Sequence, residues 1–100
     1  MKKFKNISEN IKTLKVELNE NQEIYIMYEK PEANKYMVSI YAKLKFNGDL
    51  IHQFGFEVPQ AAETGIRIDT DEHFEEDIIE LALNNAANGN IIWEQELFEN

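Results

Sequence analysis

Residues 36–58, YMVSIYAKLKFNGDLIHQFGFEV, contain two alternating segments that flank the dipeptide Asn47-Gly48. In the first segment every second residue is apolar, which predicts a β-strand over residues 36–46 with one face toward a core. Asn47-Gly48 favours a two-residue type I′ turn, so the chain is expected to return antiparallel over residues 50–58. The predicted core face of this hairpin comprises Tyr36, Val38, Ile40, Ala42, Leu44 and Phe46, continued on the returning strand by His52, Phe54, Phe56 and Val58.

Two further strands are predicted before this hairpin. Residues 13–18 alternate between apolar and polar side chains, as half-buried strands do, and the apolar segment 23–29, EIYIMYE, is predicted to form a second strand. The polar segment 19–22 would join them as a turn, and residues 30–35, which include Pro31, are predicted to form a loop. The first sixty residues are therefore expected to form a four-stranded antiparallel β-meander.

A helix is predicted after the meander. Asp69 followed by Glu72 has the spacing of a capping box, so the helix should begin near residue 69 or 70, and Gly89 is suited to end it. Its apolar stripe is formed by Phe74, Ile78, Leu81 and Ala82. We therefore predict an α+β fold in which residues 1–100 form a single domain, with the helix packed on one face of the sheet.

Short elements are predicted at both ends of the sequence. An opening helix is predicted from the helix-like spacing of Phe4, Ile7, Ile11 and Leu14. Residues 91–98 are predicted to form a short C-terminal element. We favour a helix capped by Asn90, and the alternative is that Ile91 and Trp93 join the sheet edge.

Several classes of function lack the residues they require. The sequence has no cysteine, which excludes disulfides and thiol nucleophiles, and no apolar run of the roughly 20 residues that a bilayer demands. Its serines lie outside any Gly-x-Ser-x-Gly motif, and its four glycines are too widely spaced for a phosphate-binding loop. We therefore expect a cytoplasmic, non-enzymatic protein that has no cofactor and no contact with a membrane.

The two histidines, His52 and His73, are candidate metal ligands. Asp69, His73 and Asp77 are four residues apart and would lie along one ridge of a helix, where they could approach a cation. Phe74, however, stands where a calcium loop would require glycine. His52 is predicted to be a core histidine, so we predict no metal site.

The distribution of charge is strongly asymmetric. Residues 1–50 contain 9 basic and 7 acidic residues, whereas residues 51–100 contain 12 acidic residues and a single base, Arg67. The net charges of the halves are therefore +2 and −11, which together give the −9 of the whole chain. This asymmetry predicts a basic protein partner, and it argues against direct binding of nucleic acid. The alternative is that the charge only maintains solubility.

On a helix, Glu72, Glu76 and Glu80 would form an acidic ridge with successive members about 6 Å apart along the axis. Such a row of charges is similar to a phosphate backbone. In charge and size the chain resembles small phage proteins that inhibit restriction or CRISPR enzymes, which implies an inhibitor of a nucleic-acid-binding protein. The predicted partner-binding residues are Glu72, Glu76, Asp77, Glu80, Glu94 and Glu96.

The second face of the sheet offers a different possible interface. It is predicted to carry Tyr25, Met27, Met37, Tyr41 and Ile51, and this is too apolar for a surface that only faces water. Either terminal segments cover it, or it binds a partner or a second copy. The element order is similar to that of the SecB-type export chaperones, which implies a chaperone-like or structural oligomeric module. An immunity or antitoxin protein with an acidic binding surface is a third possibility.

Overall fold

The computed structural model describes residues 11–33, 35–44, 48–58 and 65–93. Its elements are β1 (Lys12–Asn19), β2 (Gln22–Glu32), β3 (Lys35–Lys43), β4 (Leu50–Val58) and α1 (Asp71–Ala87). The four strands form one antiparallel sheet in the order β1-β2-β3-β4. The predicted α+β arrangement, a four-stranded meander followed by a helix, is confirmed.

The core lies between α1 and one face of the sheet. Every second side chain along β2 and β3 points toward α1 and is buried. These residues are Ile24, Ile26, Tyr28, Tyr36, Val38, Ile40 and Ala42. From α1, Phe74, Ile78 and Ala82 cover this face and are 0% exposed. Phe74 stacks on Tyr36 with ring centroids 3.7 Å apart and meets the edge of Tyr28 at 5.1 Å. This aromatic cluster fixes α1 on the sheet and turns the opposite side of the helix outward.

The first turn of α1 is capped by Thr70 rather than by Asp69. The Thr70 hydroxyl accepts a hydrogen bond of 3.0 Å from the backbone N–H of His73, while the Asp69 carboxylate contacts the His73 ring. The predicted capping box was therefore wrong by one residue, because a threonine was available next to the aspartate. At the other end Gly89 adopts a φ of 77° just after the C-cap residue, which confirms its predicted role.

Replacing Thr70 with alanine is expected to lower the free energy of unfolding by about 1 kcal/mol. The substitution removes the acceptor of the His73 N–H, which has no partner within the first turn. Denaturant titration of Thr70→Ala beside Thr70→Ser tests this, because serine retains the hydroxyl. Equal stability of the two variants would contradict the assignment of Thr70 as the cap.

The turn between β3 and β4 is wider than Asn47-Gly48 predicted. The N–H of Leu44 donates to the Asp49 carbonyl at 2.8 Å, and the N–H of Gly48 donates to the Leu44 carbonyl at 2.9 Å. These bonds close a longer loop, so the two-residue type I′ turn was wrong, and Phe46 and Asn47 lie outside the described residues. Gly48 nevertheless has the expected positive φ, 79°, which glycine adopts without steric cost.

The turn between β2 and β3 is tighter than predicted. Residues 30–35 were expected to form a loop, but β2 continues to Glu32, which pairs with Lys35. The register shifts between Glu29 and Glu32, and Pro31 lies in this irregular stretch. A proline is tolerated there because the regular hydrogen-bond ladder is already interrupted.

A bulge in β4 changes the face on which two predicted residues lie. The register between β3 and β4 shifts so that Gln53 is an extra residue, and His52 then pairs with Tyr41 while Ile51 pairs with the buried Ala42. His52 is exposed on the outer face, with its ring 5.2 Å from that of Tyr41, and Ile51 lies on the helix-facing side. Both residues were predicted on the opposite faces. Those predictions were wrong because uninterrupted alternation assumes a strand without a bulge.

The bulged residue also holds the segment that follows α1. The Gln53 side chain accepts the N–H of Ile92 at 2.8 Å and donates to the Ile92 carbonyl at 3.0 Å. Ile91 is buried in the core, and Trp93 packs against it. Residues 91–93 are neither helix nor strand, so the predicted C-terminal helix is wrong there, and its remainder lies outside the described residues.

The predicted opening helix lies largely outside the described residues. Phe4 and Ile7 belong to residues 1–10, which are not described. Leu14, the last member of the predicted helical stripe, lies in β1 and pairs with Ile26 of β2. The alternation that begins at residue 13 therefore decides the structure at this position, and the helix cannot extend as far as Leu14.

Candidate protein-binding surface

The outward side of α1 carries an acidic ridge, by which we mean Glu72, Glu76 and Glu80. All three are exposed, while Phe74 and Ile78 occupy the buried side of the same helix. The helix itself contains no lysine or arginine. Within the described part of the chain, neither Glu72 nor Glu80 forms an ion pair. Two of the three carboxylates therefore face solvent without a counter-charge from these residues.

Arg67 neutralises one edge of the ridge. Its guanidinium donates to both carboxylate oxygens of Asp77 at 3.0 Å and to Glu76 at 3.1 Å, and its backbone N–H donates to Asp77 at 2.8 Å. These bonds hold the pKa of Asp77 at about 2. Asp77, which was predicted to bind a partner, is only 17% exposed and faces its own chain. It anchors the segment that leads into α1.

Sequence reasoning missed this contact because it considered only pairs four residues apart within the helix. Arg67 and Asp77 are ten residues apart and meet because the chain turns before α1. The available signal was that the single base of the second half stands directly before an acidic helix.

The inner edge of the first turn is joined to the sheet by a second set of polar contacts. The Tyr36 hydroxyl donates to Asp71 at 2.7 Å, and the ammonium groups of Lys12 and Lys30 lie 3.5 and 3.9 Å from the same carboxylate. The hydrogen bond from Tyr36, together with these two lysines, lowers the pKa of Asp71. Asp71 therefore belongs to the contact between helix and sheet and is not part of the acidic ridge.

The three residues considered as metal ligands do not converge. Asp69 and His73 contact each other at 3.0 Å, and the hydrogen bond from His73 lowers the pKa of Asp69. Asp77 instead contacts Arg67. Across residues 11–33, 35–44, 48–58 and 65–93, no group of three His, Asp or Glu side chains could hold a metal ion.

The aspartates in and just before α1 carry a negative charge at neutral pH. The pKa values of Asp69, Asp71 and Asp77 are all lowered, so these carboxylates stay ionised at neutral pH. A general acid requires the opposite shift, which burial without a cationic partner produces. The arrangement is suited to attracting and pairing with cationic side chains. Glu94 and Glu96, also predicted to bind the partner, lie outside the described residues.

The second surface of interest is the exposed sheet face, opposite α1. Its apolar centre consists of Tyr25 and Met27 on β2 and Met37 and Tyr41 on β3, where Tyr25 and Tyr41 are direct cross-strand neighbours. Met37 is 41% exposed, and the other three are partly exposed. Four of the five residues predicted for this face therefore lie together. The fifth, Ile51, is on the other side of the sheet.

Comparison with known proteins leaves both surfaces to be interpreted from their own geometry. No family model, curated protein or solved structure matches this chain. Among the described residues there is also no helix with the length and apolar character needed to span a bilayer.

Proposed function

We propose that this protein is a non-enzymatic binding protein that docks the acidic ridge of α1 on a basic surface of another protein. The partner is a nucleic-acid-binding protein, and the ridge occupies the surface that would otherwise hold phosphates. One observation carries this proposal: Glu72 and Glu80 are exposed on a helix that contains no lysine or arginine. No described residue supplies either of them with a counter-charge.

The ridge carries an electrostatic cost that a basic partner would relieve. Glu72 and Glu80 each lie four residues from Glu76, and like charges at this spacing repel by a few tenths of a kcal/mol, a cost that the bond from Arg67 to Glu76 reduces. The helix dipole favours Glu72, which lies in the first turn, but gives no such compensation to Glu80. Complementary charge on a partner would offset the repulsion and accelerate association.

The nature of the partner follows from the pattern of charge. A line of carboxylates about 6 Å apart along one helix matches a groove that binds a row of phosphates better than it matches a single basic residue. Glu94 and Glu96, which lie outside the described residues, are proposed to bind the same partner. Phage inhibitors of restriction or CRISPR enzymes act on partners of this class. An immunity or antitoxin protein would use the same surface against a basic toxin.

Reversing the two glutamates that lack a counter-charge tests the proposal. The double variant Glu72→Lys, Glu80→Lys is expected to lose at least tenfold in affinity for a partner captured by the parent protein. The reason is that each lysine would face a basic groove. Affinity is measured by titration at low and high salt, and circular dichroism verifies the helix. The captured protein should also bind nucleic acid, and the parent protein should displace that nucleic acid.

A matched control distinguishes the effect of where the substitutions lie from the effect of the change in net charge. Glu17→Lys combined with Glu20→Lys makes the same change in net charge at two exposed residues, one on the sheet face opposite α1 and one in the turn after β1. This control should retain most of the affinity. If both pairs of substitutions weakened binding equally, or if the ridge variant bound normally, the ridge would not be the docking surface.

A further inference from the structure

Most of the charges around the exposed sheet face are paired with one another. At one end Glu23 lies 3.5 Å from the ammonium of Lys43 and 3.9 Å from that of Lys15. At the other end Lys35 lies 3.5 Å from Glu57. These ion pairs lie at the two ends of the apolar centre. Their charges neutralise each other without a partner protein.

The exposed sheet face is also nearly neutral, unlike the rest of the molecule. Among the described residues, its three positive and five negative side chains are Lys15, Lys35, Lys43, Glu17, Glu23, Glu29, Glu32 and Glu57. Most of the net charge of −9 therefore lies elsewhere, chiefly around α1. Two copies of so acidic a chain would repel each other through their helices. They can approach through this face with the least repulsion.

The area of the face fits such an association. Four strands about 4.8 Å apart, with about eight residues each at about 3.3 Å per residue, present a face of about 500 Å². Two such faces would bury about 1,000 Å² in total, which is close to the lower limit for a specific interface. An interface of this size predicts a dimer that dissociates on dilution.

We propose that two copies of this chain form a symmetric dimer through their exposed sheet faces. Tyr25, Met27, Met37 and Tyr41 of one copy pack against the same four residues of the other. The two sheets would lie about 10 Å apart, as in a β-sandwich. Both helices then face outward, and the dimer presents two acidic ridges on opposite sides. This inference concerns a different surface from the proposed function and does not depend on it.

Sedimentation equilibrium of the full chain without any partner tests the dimer. The average mass is expected to double as the concentration rises through the micromolar range. The dimer should persist or strengthen at high salt, because salt screens the repulsion between two acidic copies and leaves the apolar contact. In Met37→Lys the dissociation constant should rise at least tenfold, because a lysine from each copy would be brought into the centre of the interface.

Leu83→Lys is the matched control. Leu83 is 40% exposed, almost the same as Met37, but it lies on α1. Both substitutions replace an exposed apolar residue with lysine and make the same change in net charge. Leu83→Lys should dimerise as the parent chain does. A parent chain that stays monomeric at every concentration, or a Met37→Lys variant that dimerises normally, would overturn the proposal. A loss of dimer in both variants would also overturn it.

Discussion

Phe74→Ala is expected to lower the free energy of unfolding by about 3–5 kcal/mol, the range for removing a buried aromatic ring. Phe74 is fully buried, stacks on Tyr36 at 3.7 Å and meets Tyr28 at 5.1 Å. Alanine would leave a cavity at the centre of the contact between α1 and the sheet. The two tyrosines would lose their aromatic partner while their hydroxyls remained bound to the helix. The measurement is denaturant unfolding followed by circular dichroism.

Leu83→Ala provides the comparison for this prediction. Leu83 is a large apolar residue on the same helix, but its side chain is exposed, so its loss is expected to change stability by less than about 0.5 kcal/mol. If Phe74→Ala lowered the free energy of unfolding no more than Leu83→Ala does, the position of α1 on the sheet would be wrong. The proposed dimer requires that unfolding be compared at a concentration where all variants are monomeric.

Asp77→Ala is expected to lower the free energy of unfolding by about 2 kcal/mol at neutral pH, since charge-assisted hydrogen bonds contribute in this range. The carboxylate accepts three hydrogen bonds from Arg67, and one of these comes from the backbone. Removing it would release the segment before α1 and leave the guanidinium with Glu76 alone. Glu76→Ala removes a single hydrogen bond from Arg67 to a more exposed carboxylate, so it should lower the free energy of unfolding clearly less than Asp77→Ala does.

The effect of Asp77→Ala should depend on pH in a defined direction. The pKa of Asp77 is lowered from 3.8 to about 2 in the folded protein, mainly by the hydrogen bond from the Arg67 side chain. A lowered pKa contributes stability above the unfolded value, and this contribution is lost as the pH falls through the folded value. The difference in the free energy of unfolding between the parent protein and Asp77→Ala should therefore be constant above about pH 5 and shrink between about pH 4 and pH 2. A difference that did not change with pH would contradict the ion pair.

Much of the fold could be predicted because it depends on local periodicity. The alternation in residues 36–46 and 50–58 identified both strands, and the spacing of Phe74, Ile78 and Ala82 identified the buried side of the helix. The same geometry placed Glu72, Glu76 and Glu80 outward, and they are exposed. Their role in binding a partner stays a prediction.

What the sequence by itself determined is therefore the order and type of β1 to β4 and α1 and the sidedness of the helix. These properties follow from the repeat of each backbone conformation, which any short segment expresses. Only the tertiary structure decided that Arg67 neutralises Asp77 and that Gln53 bulges to hold Ile92. The partners in these contacts are 10 and 39 residues apart. Such contacts form only when packing has brought distant segments together, and no local pattern encodes them.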